Sequence, residues 1–237
     1  MKKEVNLAFL LIKEHPMGRA MIAELIKAGC KPSIIVEEAT VPGIERRKYY
    51  EDVMEVIPPT VEEMSKEYGI RRLEVSSHNG EECQKALEEI EPDLIALGNC
   101  NIIRPHIFTI AKDGCINTHP GLLPLVRGVF PVVWAVYHDH PSGCCTHFVD
   151  AKLDTGPIIY NQEFPVYRGD TIENLLEKAV YMAGTLIARA YIDYVAGTLK
   201  ATPQKPGDGN YYSRPSEEVF RTAAQKLVDQ TYKHYAD

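Results

Sequence analysis

The chain has 237 residues, of which 45% are hydrophobic and 25% are charged, and its formal net charge is −7. This composition is enough to bury a sizeable core, while the acidic balance and the lack of a long Lys/Arg block weigh against a nucleic-acid-binding surface. No apolar run approaches the roughly 20 residues of a membrane helix, and the short N-terminal run 7–12 has no cleavage site. We therefore expect a cytoplasmic protein without a membrane partner.

The N-terminal half alternates between strand and helix patterns. Residues 5–12 and 33–36 are almost continuously apolar, which is typical of buried parallel strands, and the spacing of apolar residues over 16–28 predicts a helix between them. Further helices are predicted over 44–56, 60–68 and 80–90, the last capped by Asn79, and further strands over 73–75 and 93–97. This order predicts an α/β fold, a doubly wound, Rossmann-like and mostly parallel sheet with helices on both faces.

The turn after the first strand has no phosphate-binding loop. Residues 13–18, Lys-Glu-His-Pro-Met-Gly, contain neither Gly-x-Gly-x-x-Gly nor Gly-Lys-Ser/Thr, so the backbone amides that would hold a phosphate are missing. His15 is expected to be an exposed loop histidine. Arg46, Arg47 and the pair Tyr49–Tyr50 are likewise expected to be exposed, on the helix predicted over 44–56.

A polar loop follows the central strand 93–97. Ligands of open α/β sheets bind beyond the carboxyl ends of the strands, which makes Asn101, Ile102 and Ile103 candidates for ligand contacts. An ordinary Gly/Asn turn is the alternative explanation of the same residues.

The stretch 115–128, Cys-Ile-Asn-Thr-His-Pro-Gly-Leu-Leu-Pro-Leu-Val-Arg-Gly, carries the first cluster of reactive side chains. Asn117 and His119 are two residues apart on an extended segment, so both point into the same space before Pro120–Gly121 ends the strand. An amide and an imidazole side by side can donate hydrogen bonds to an oxygen that gains charge. A satisfied core histidine and a turn asparagine are the structural alternative.

A second polar cluster begins at His147, in His-Phe-Val-Asp-Ala-Lys-Leu-Asp-Thr-Gly-Pro. Strands over 143–149 and 157–164 are predicted to flank the loop that carries Asp150 and Asp154. Either carboxylate can move a proton and orient an imidazole.

The C-terminal part begins with a long predicted helix over 172–195, capped by Thr171 and ended by Gly197. Residues 198–216 are rich in Pro and Gly and predict a long loop, and a last helix is predicted over 216–232. We divide the chain into a catalytic domain, 1–197, and a C-terminal loop and helix, 198–237, packed on the same domain.

The two polar clusters together resemble the folate-dependent formyltransferase family. The pattern Asn-x-His-Pro-x-Leu-Leu-Pro at 117–124, followed by His-Phe-Val-x-x-x-Leu-Asp-x-Gly-Pro at 147–157, is similar to the catalytic domain of glycinamide ribonucleotide, methionyl-tRNA and amino-sugar formyltransferases. The resemblance implies 10-formyltetrahydrofolate as co-substrate and requires no metal. It implies that Asn117, His119 and Asp154 are the catalytic residues, with Asp150 as the local competitor of Asp154.

The resemblance also implies binding residues around a pterin pocket. The cofactor-binding candidates are Asn101, Ile102, Ile103, Val149, Asp150, Leu153 and Gly156, the last allowing close approach of the backbone to the folate. The substrate-binding candidates are Arg127, His147 and Tyr212. Two of these have an open alternative, because Arg127 can instead staple its loop and His147 can support Asp154 or simply pack in the core.

The acceptor follows from what the sequence lacks. The missing phosphate loop argues against glycinamide ribonucleotide, and the acidic charge and the lack of room for an appended barrel domain argue against methionyl-tRNA. We expect formyl transfer to the primary amine of a small molecule such as a nucleotide-linked amino sugar. The alternatives are transfer to methionyl-tRNA or glycinamide ribonucleotide, hydrolysis of 10-formyltetrahydrofolate, and a non-catalytic folate-binding protein; a homodimer is also open.

Overall fold

A computed structural model of the chain describes residues 5–205 and 207–236. Its main sheet has seven strands in the order β3-β2-β1-β4-β5-β7-β8. The first five strands in this order are parallel, and β7 and β8 are antiparallel to their neighbours. The strands are β1 (Leu7–Ile12), β2 (Ile34–Glu38), β3 (Arg71–Val75), β4 (Leu94–Gly98), β5 (Cys115–His119), β6 (Val126–Gly128), β7 (Gly143–Phe148), β8 (Ile158–Glu163) and β9 (Asn210–Tyr212).

Helices cover both faces of this sheet, because strands buried on both sides present apolar side chains in both directions. On one face, α1 and α7 pack together over a core that includes Phe9 and Leu11; on the other, α4 and α5 pack over a core that includes Leu10 and Ile95. This arrangement confirms the predicted doubly wound α/β fold. The helices are α1 (Pro16–Lys27), α2 (Val41–Val53), α3 (Val61–Tyr68), α4 (Glu81–Ile90), α5 (Pro105–Phe108), α6 (Pro131–Tyr137), α7 (Ile172–Ala196) and α8 (Glu217–Val228).

One predicted cap has a different role. The N-cap of α4 is Gly80, which makes no side-chain cap bond, and not Asn79. The Asn79 side chain instead donates to the Ile102 carbonyl at 2.8 Å and accepts from the Arg104 amide at 2.7 Å. The predicted cap was wrong because this side chain is engaged by the loop after β4, and it ties that loop to the start of α4.

The second sheet, β6 paired in parallel with β9, was not predicted. Three-residue strands carry no usable periodicity, and the sequence patterns around them read as loops. Two further contacts fix the C-terminal segment: Thr202 exchanges hydrogen bonds of 2.8 Å with Ile158, and Gly209 lies against the carbonyl of Pro124. The segment therefore runs beside β6 and the loop between β7 and β8.

Within the described parts of the chain, none of the helices combines the length and apolarity that a membrane crossing requires.

Candidate active site

Pairing of β5 with β7 places the two polar clusters next to each other. Asn117 is directly opposite His147 in this antiparallel pair, so their side chains share one face of the sheet. The Nδ2 of Asn117 lies 3.4 Å from Nε2 of His147. The last residue of β5 that pairs with β4 is Asn117, opposite Leu97. His119 is two residues further along β5, and it therefore lies just beyond the end of β4, next to the loop that follows that strand.

His119 is almost fully buried, with 4% of its surface exposed. Its Nε2 lies 2.8 Å from the Val126 carbonyl oxygen, and its Nδ1 lies 3.7 Å from Oδ2 of Asp154. Burial lowers the pKa of the imidazole, and this effect outweighs the neighbouring Asp154 carboxylate, which acts in the opposite direction. The ring is therefore held in its neutral form near pH 7.

Asp154 occupies the loop between β7 and β8 with a left-handed backbone, φ 53°. Its Oδ1 lies 3.5 Å from Nε2 of His147, and its Oδ2 accepts a hydrogen bond of 2.9 Å from the Gly128 amide. Burial alone would raise the pKa of this carboxyl. The two imidazoles and the Gly128 amide more than offset burial and hold the pKa well below its usual range. Asp154 is a carboxylate at neutral pH.

Backbone carbonyls determine one hydrogen-bearing nitrogen in each imidazole. A backbone carbonyl only accepts, so Nε2 of His119 carries the hydrogen donated to Val126, and Nδ1 of His147 carries the hydrogen donated to Phe148 at 2.8 Å. In neutral His119, the Nδ1 that faces Asp154 is then a lone-pair acceptor. This acceptor lies beside the Asp154 carboxylate, an arrangement suited to taking a proton from a bound molecule and stabilising the cation that forms.

This cluster forms part of the wall of a cleft of about 350 Å³. The loop after β4 forms one side of the cleft, and the loop after β7 forms another. Asn117, His119 and His147 line it together with Asp154. Six of the seven predicted cofactor-binding residues also line it: Asn101, Ile102, Ile103, Val149, Asp150 and Leu153.

The seventh predicted cofactor-binding residue, Gly156, is not part of the cleft wall. It is buried, and a Cβ added there would lie 1.8 Å from the Phe148 carbonyl oxygen. Gly156 thus allows the loop to pass close to the end of β7, and the close backbone approach is to the protein's own strand.

Arg127 also lies outside the cleft wall, and its guanidinium is engaged by backbone and side-chain oxygens. Its Nε donates to the Asp154 carbonyl at 3.0 Å, and its two terminal nitrogens donate to the Asp208 carbonyl at 2.5 Å and to Oε1 of Gln204 at 2.6 Å. Of the two alternatives left open by the sequence, these contacts support the role of a loop staple.

Tyr212 stacks on Trp134, with ring centroids 4.8 Å apart, and is not part of the cleft wall. Its neighbour Tyr211 lines the cleft. Neighbouring residues of a strand point to opposite sides, so a shift of β9 by one residue would exchange Tyr211 and Tyr212 at the cleft. The sequence motif could not set that register because β9 itself was not predicted.

Several cleft residues were missed, and the predicted exposure was wrong for His15, Arg46, Arg47, Tyr49 and Tyr50. Arg46 and Tyr50 line the cleft, as do Met17 and Phe130. Tyr50 is 5% exposed, and His15 is fully buried, with its ring tilted by 59° against the Tyr50 ring and the centroids 4.7 Å apart. One face of α2 packs against β1, which buries Tyr50 and, beside it, His15 at the N-cap of α1.

The helical spacing of 43, 46 and 50 was the available signal for this buried face. Gly43 lies against Ile12, and Arg46 donates to Oδ1 of Asn101 at 3.2 Å. Arg47 is also half-buried, next to Glu51 on the same helix, and Tyr49 packs against Phe130 at 6.1 Å. The charged run Glu-Arg-Arg-Lys at 45–48 suggests a solvent-exposed helix. The buried face of this helix was missed because it contains polar residues such as Arg46 and Tyr50.

Residues 5–205 and 207–236 contain no group of three or more His, Cys, Asp and Glu side chains arranged to hold a metal ion. Cys100 in the cleft wall donates its Sγ–H to the Leu10 carbonyl at 3.0 Å, and burial raises the pKa of its thiol. It is therefore a structural residue and not a thiolate nucleophile at neutral pH.

The chain matches a family model described as formyl transferase over residues 5–190. Among curated proteins, it is 28% identical over 165 residues to the methionyl-tRNA formyltransferase of Kosmotoga olearia, an alignment that covers 69% of this chain and 53% of that protein. The chain spans about half the length of the curated relatives it matches.

Two solved structures show the same fold. Glycinamide ribonucleotide transformylase 1 from Symbiobacterium toebii aligns with a TM-score of 0.65 and 20% identity, covering 85% of this chain and 94% of that one. The N-formyltransferase from Helicobacter canadensis, in complex with folinic acid and dTDP-3-aminofucose, aligns with a TM-score of 0.67 and 16% identity, covering 98% and 84%.

Proposed function

The chain belongs to the formyl transferase family, and on that premise we propose that it moves a formyl group from 10-formyltetrahydrofolate to the primary amine of a small molecule. The observation that carries the proposal is the convergence of Asn117, His119 and Asp154 on one cleft. The amide and imidazole come from β5 and the carboxylate from the loop after β7. Their meeting therefore depends on the fold and not on their spacing along the chain.

The loops after β4 and β7 would hold the folate. They enclose the cleft with exposed apolar side chains, Ile102 at 64% and Leu153 at 40% exposure, which can cover the faces of a flat ring. Backbone groups of Asn101 and Ile103 would form hydrogen bonds to the pterin edge. The Helicobacter canadensis neighbour contains folinic acid, a formylated folate, and this supports a folate co-substrate here.

The chemistry starts with attack of the amine nitrogen on the formyl carbon. The carbon–nitrogen bond forms as the carbonyl π electrons move to oxygen, giving a tetrahedral species with an oxyanion and a cationic nitrogen. Nδ1 of His119 accepts the proton lost by that nitrogen, and the Asp154 carboxylate 3.7 Å away stabilises the imidazolium that forms. The proton then passes to the folate nitrogen as its bond to the formyl carbon breaks.

Asn117 is the donor to the oxyanion in this scheme. Its Nδ2 has two hydrogens, one of which is directed to His147, so the other is available for the oxyanion. A well-placed donor of this kind contributes about 3–4 kcal/mol to the barrier reduction. His119 donates from Nδ1 only after it has taken a proton, so its acceptor role comes first.

A nucleotide-linked amino sugar is the acceptor we propose first. The turn over residues 13–18 has no glycine-rich phosphate loop, which disfavours the glycinamide ribonucleotide alternative. The net charge of −7 disfavours a tRNA. The neighbour from Helicobacter canadensis, whose complex contains dTDP-3-aminofucose, supports the sugar class.

Methionyl-tRNA is the second candidate, because the curated relatives are methionyl-tRNA formyltransferases. The two acceptors differ greatly in charge, so salt separates them. Transfer to a tRNA should weaken steeply as salt rises from 50 to 200 mM, whereas transfer to a nucleotide sugar should change far less.

The test incubates the purified protein with 10-formyltetrahydrofolate and, in turn, amino sugar nucleotides, glycinamide ribonucleotide, methionyl-tRNA and no amine, and follows the folate absorbance. We expect turnover with an amino sugar nucleotide. Formate release without any amine would identify a hydrolase instead. Binding of folate with no turnover under any condition would contradict an enzymatic function.

A further inference from the structure

A glutamine outside the cleft wall contacts the backbone that carries Asp154. Gln204 is half-buried, and its Nε2 donates to the carbonyl oxygens of Asp154 at 3.0 Å and Gly156 at 2.8 Å. Its Oε1 accepts from Nη2 of Arg127 at 2.6 Å. Carbonyl groups only accept and a guanidinium only donates, so these partners determine which end of the amide is nitrogen. Both hydrogens of the amide are used.

Asp154 depends on such support because its backbone is left-handed. The left-handed conformation at φ 53° costs an aspartate less than most residues but still costs backbone energy, so contacts that hold the peptide stabilise it. Its carbonyl oxygen accepts two hydrogen bonds, from Nε of Arg127 and from Gln204. On the other side of the residue, the Gly128 amide holds the carboxylate at 2.9 Å. Rotation of this peptide would carry the carboxylate away from both imidazoles.

The position of Gln204 is itself held by the fold. Two residues earlier, Thr202 forms its reciprocal pair with Ile158, and five residues later Gly209 lies against the Pro124 carbonyl. The glutamine thus belongs to an anchored segment and presents a fixed amide to the Asp154 loop.

We infer that Gln204 is a positioning residue for formyl transfer, which acts by holding the Asp154 peptide so that its carboxylate faces His119 and His147. The kinetic part of this inference rests on the proposed function. Gln204 donates to two carbonyl groups of one loop and accepts from Arg127, and of the common side chains only an amide of this length can do both.

The isosteric variant Gln204→Glu tests the inference. It keeps an oxygen for Arg127 but removes both donors and sets a carboxylate against two carbonyl groups. We expect kcat to fall by about 10- to 100-fold, because displacement of a catalytic group by about 1 Å has an effect of this size, while the KM for folate changes less than about twofold. Gln162→Glu, an equal charge change at an exposed residue of β8, should leave both constants unchanged.

A double-mutant cycle separates positioning from general stability. If Gln204 acts through the Asp154 carboxylate, then adding Gln204→Glu to Asp154→Asn should lower kcat no further. A further loss of about tenfold in the double variant would mean that Gln204 acts elsewhere, and it would overturn the inference.

Hydrogen exchange of the Gly128 amide gives a readout that does not need turnover. This amide donates to Oδ2 of Asp154, so release of the loop should speed its exchange by about tenfold in Gln204→Glu and not in Gln162→Glu. If the wild-type protein transfers no formyl group, the proposed function fails while this measurement still decides the positioning role. An unchanged exchange rate of the Gly128 amide in Gln204→Glu would refute the positioning role.

Discussion

At the scale of single residues, the two carboxylates of the β7–β8 loop have separable duties. The carboxylate of Asp154 faces two imidazoles, whereas that of Asp150 accepts from the Lys152 amide at 3.1 Å and from Oγ1 of Thr155 at 2.7 Å. Asp150 therefore shapes the loop. This distinction can be measured with two chemically identical substitutions.

We predict that Asp154→Asn lowers kcat for formyl transfer by about 10²- to 10⁴-fold, the range for loss of a proton-transfer group. Asp150→Asn should leave kcat within a few fold and act mainly on the KM for folate, since Asp150 lines the cleft. Steady-state kinetics with both substrates varied provides the measurement. Equal losses of kcat in the two variants would contradict the assignment.

A second residue-scale prediction concerns acid stability. Burial lowers the pKa of His15 well below its ordinary value, and Arg46 and Arg47 lower it further. Unfolded histidine takes up a proton near pH 6.5 and the native ring does not, so the unfolded state gains protons as the pH falls. The free energy of unfolding should therefore fall below pH 6.5, by up to about 1.4 kcal/mol per pH unit for each such group.

The variant His15→Asn should make the free energy of unfolding less dependent on pH, because up to one proton fewer is taken up on unfolding. Asparagine keeps an oxygen that can accept from the Met17 amide, as the N-cap of α1 requires, but it does not titrate. Urea unfolding at pH 7 and pH 5.5 measures the slope, and His106→Asn at an exposed position is the matched control. The same slope in wild type and His15→Asn would show that His15 is not the sensitive group.

The predictability of the site differs from residue to residue. Asn117, His119 and Asp154 were found because reactive side chains stand at strand ends in a recognisable order. Arg46 and Tyr50 were not, since a buried face made of Arg and Tyr looks solvent-exposed by composition. Gln204 gave no local signal at all, because its partners are backbone carbonyls about 50 residues away.

At the scale of elements, two glycines of the C-terminal segment form a natural pair. Both have positive φ, 85° at Gly207 and 71° at Gly209. A Cβ at Gly207 would meet nothing within 4 Å, whereas a Cβ at Gly209 would lie 1.5 Å from the Pro124 carbonyl oxygen. Alanine therefore imposes similar backbone strain at both positions but a clash only at Gly209.

We predict that Gly207→Ala costs about 1–2 kcal/mol of backbone strain and leaves kcat within about twofold. Gly209→Ala should displace the segment from β6 and lower kcat strongly. Hydrogen exchange of the Val129 amide, which donates to the Tyr212 carbonyl at 3.0 Å, reports the displacement. Equal effects of the two substitutions on exchange and kcat would exclude docking of the segment as the cause.

Elements that depend on nearby residues were predicted from the sequence, and elements that depend on distant residues were not. The capping box of Thr60 and Glu63 and the glycine after α7 were predicted correctly, because capping is decided within four residues. The sheet of β6 and β9 was missed, since its partners are more than 80 residues apart and each strand has only three residues. Long-range pairing, not propensity, creates these strands.

At the scale of the whole molecule, the proposed division into 1–197 and 198–237 predicts a single cooperative unit. Trp134, the one tryptophan of the sequence, stacks on Tyr212 and donates its Nε1–H to the Ser213 carbonyl at 3.0 Å. Its fluorescence therefore reports the C-terminal segment, while far-ultraviolet circular dichroism reports the helices and sheet.

We predict that urea unfolding curves from these two probes coincide, because α8 and the segment before it share the packing of α6. The comparison needs no variant, and Tyr212→Leu serves as a control that weakens the stack. A fluorescence transition at clearly lower urea than the dichroism transition would show that the C-terminal part unfolds separately.

The left-handed backbone of Asp154 also restricts which sequences can occupy this position. Gly, Asn and Asp adopt that conformation at the lowest cost, and of these three only Asp has a carboxylate. In a saturation library at codon 154, selection for folded protein should enrich Gly, Asn and Asp over the other amino acids. Selection for growth that depends on the product should enrich Asp alone. Glutamate, the usual conservative exchange, should be less frequent than Asp after the first selection, because of a backbone cost of about 1–2 kcal/mol, and should fail the second.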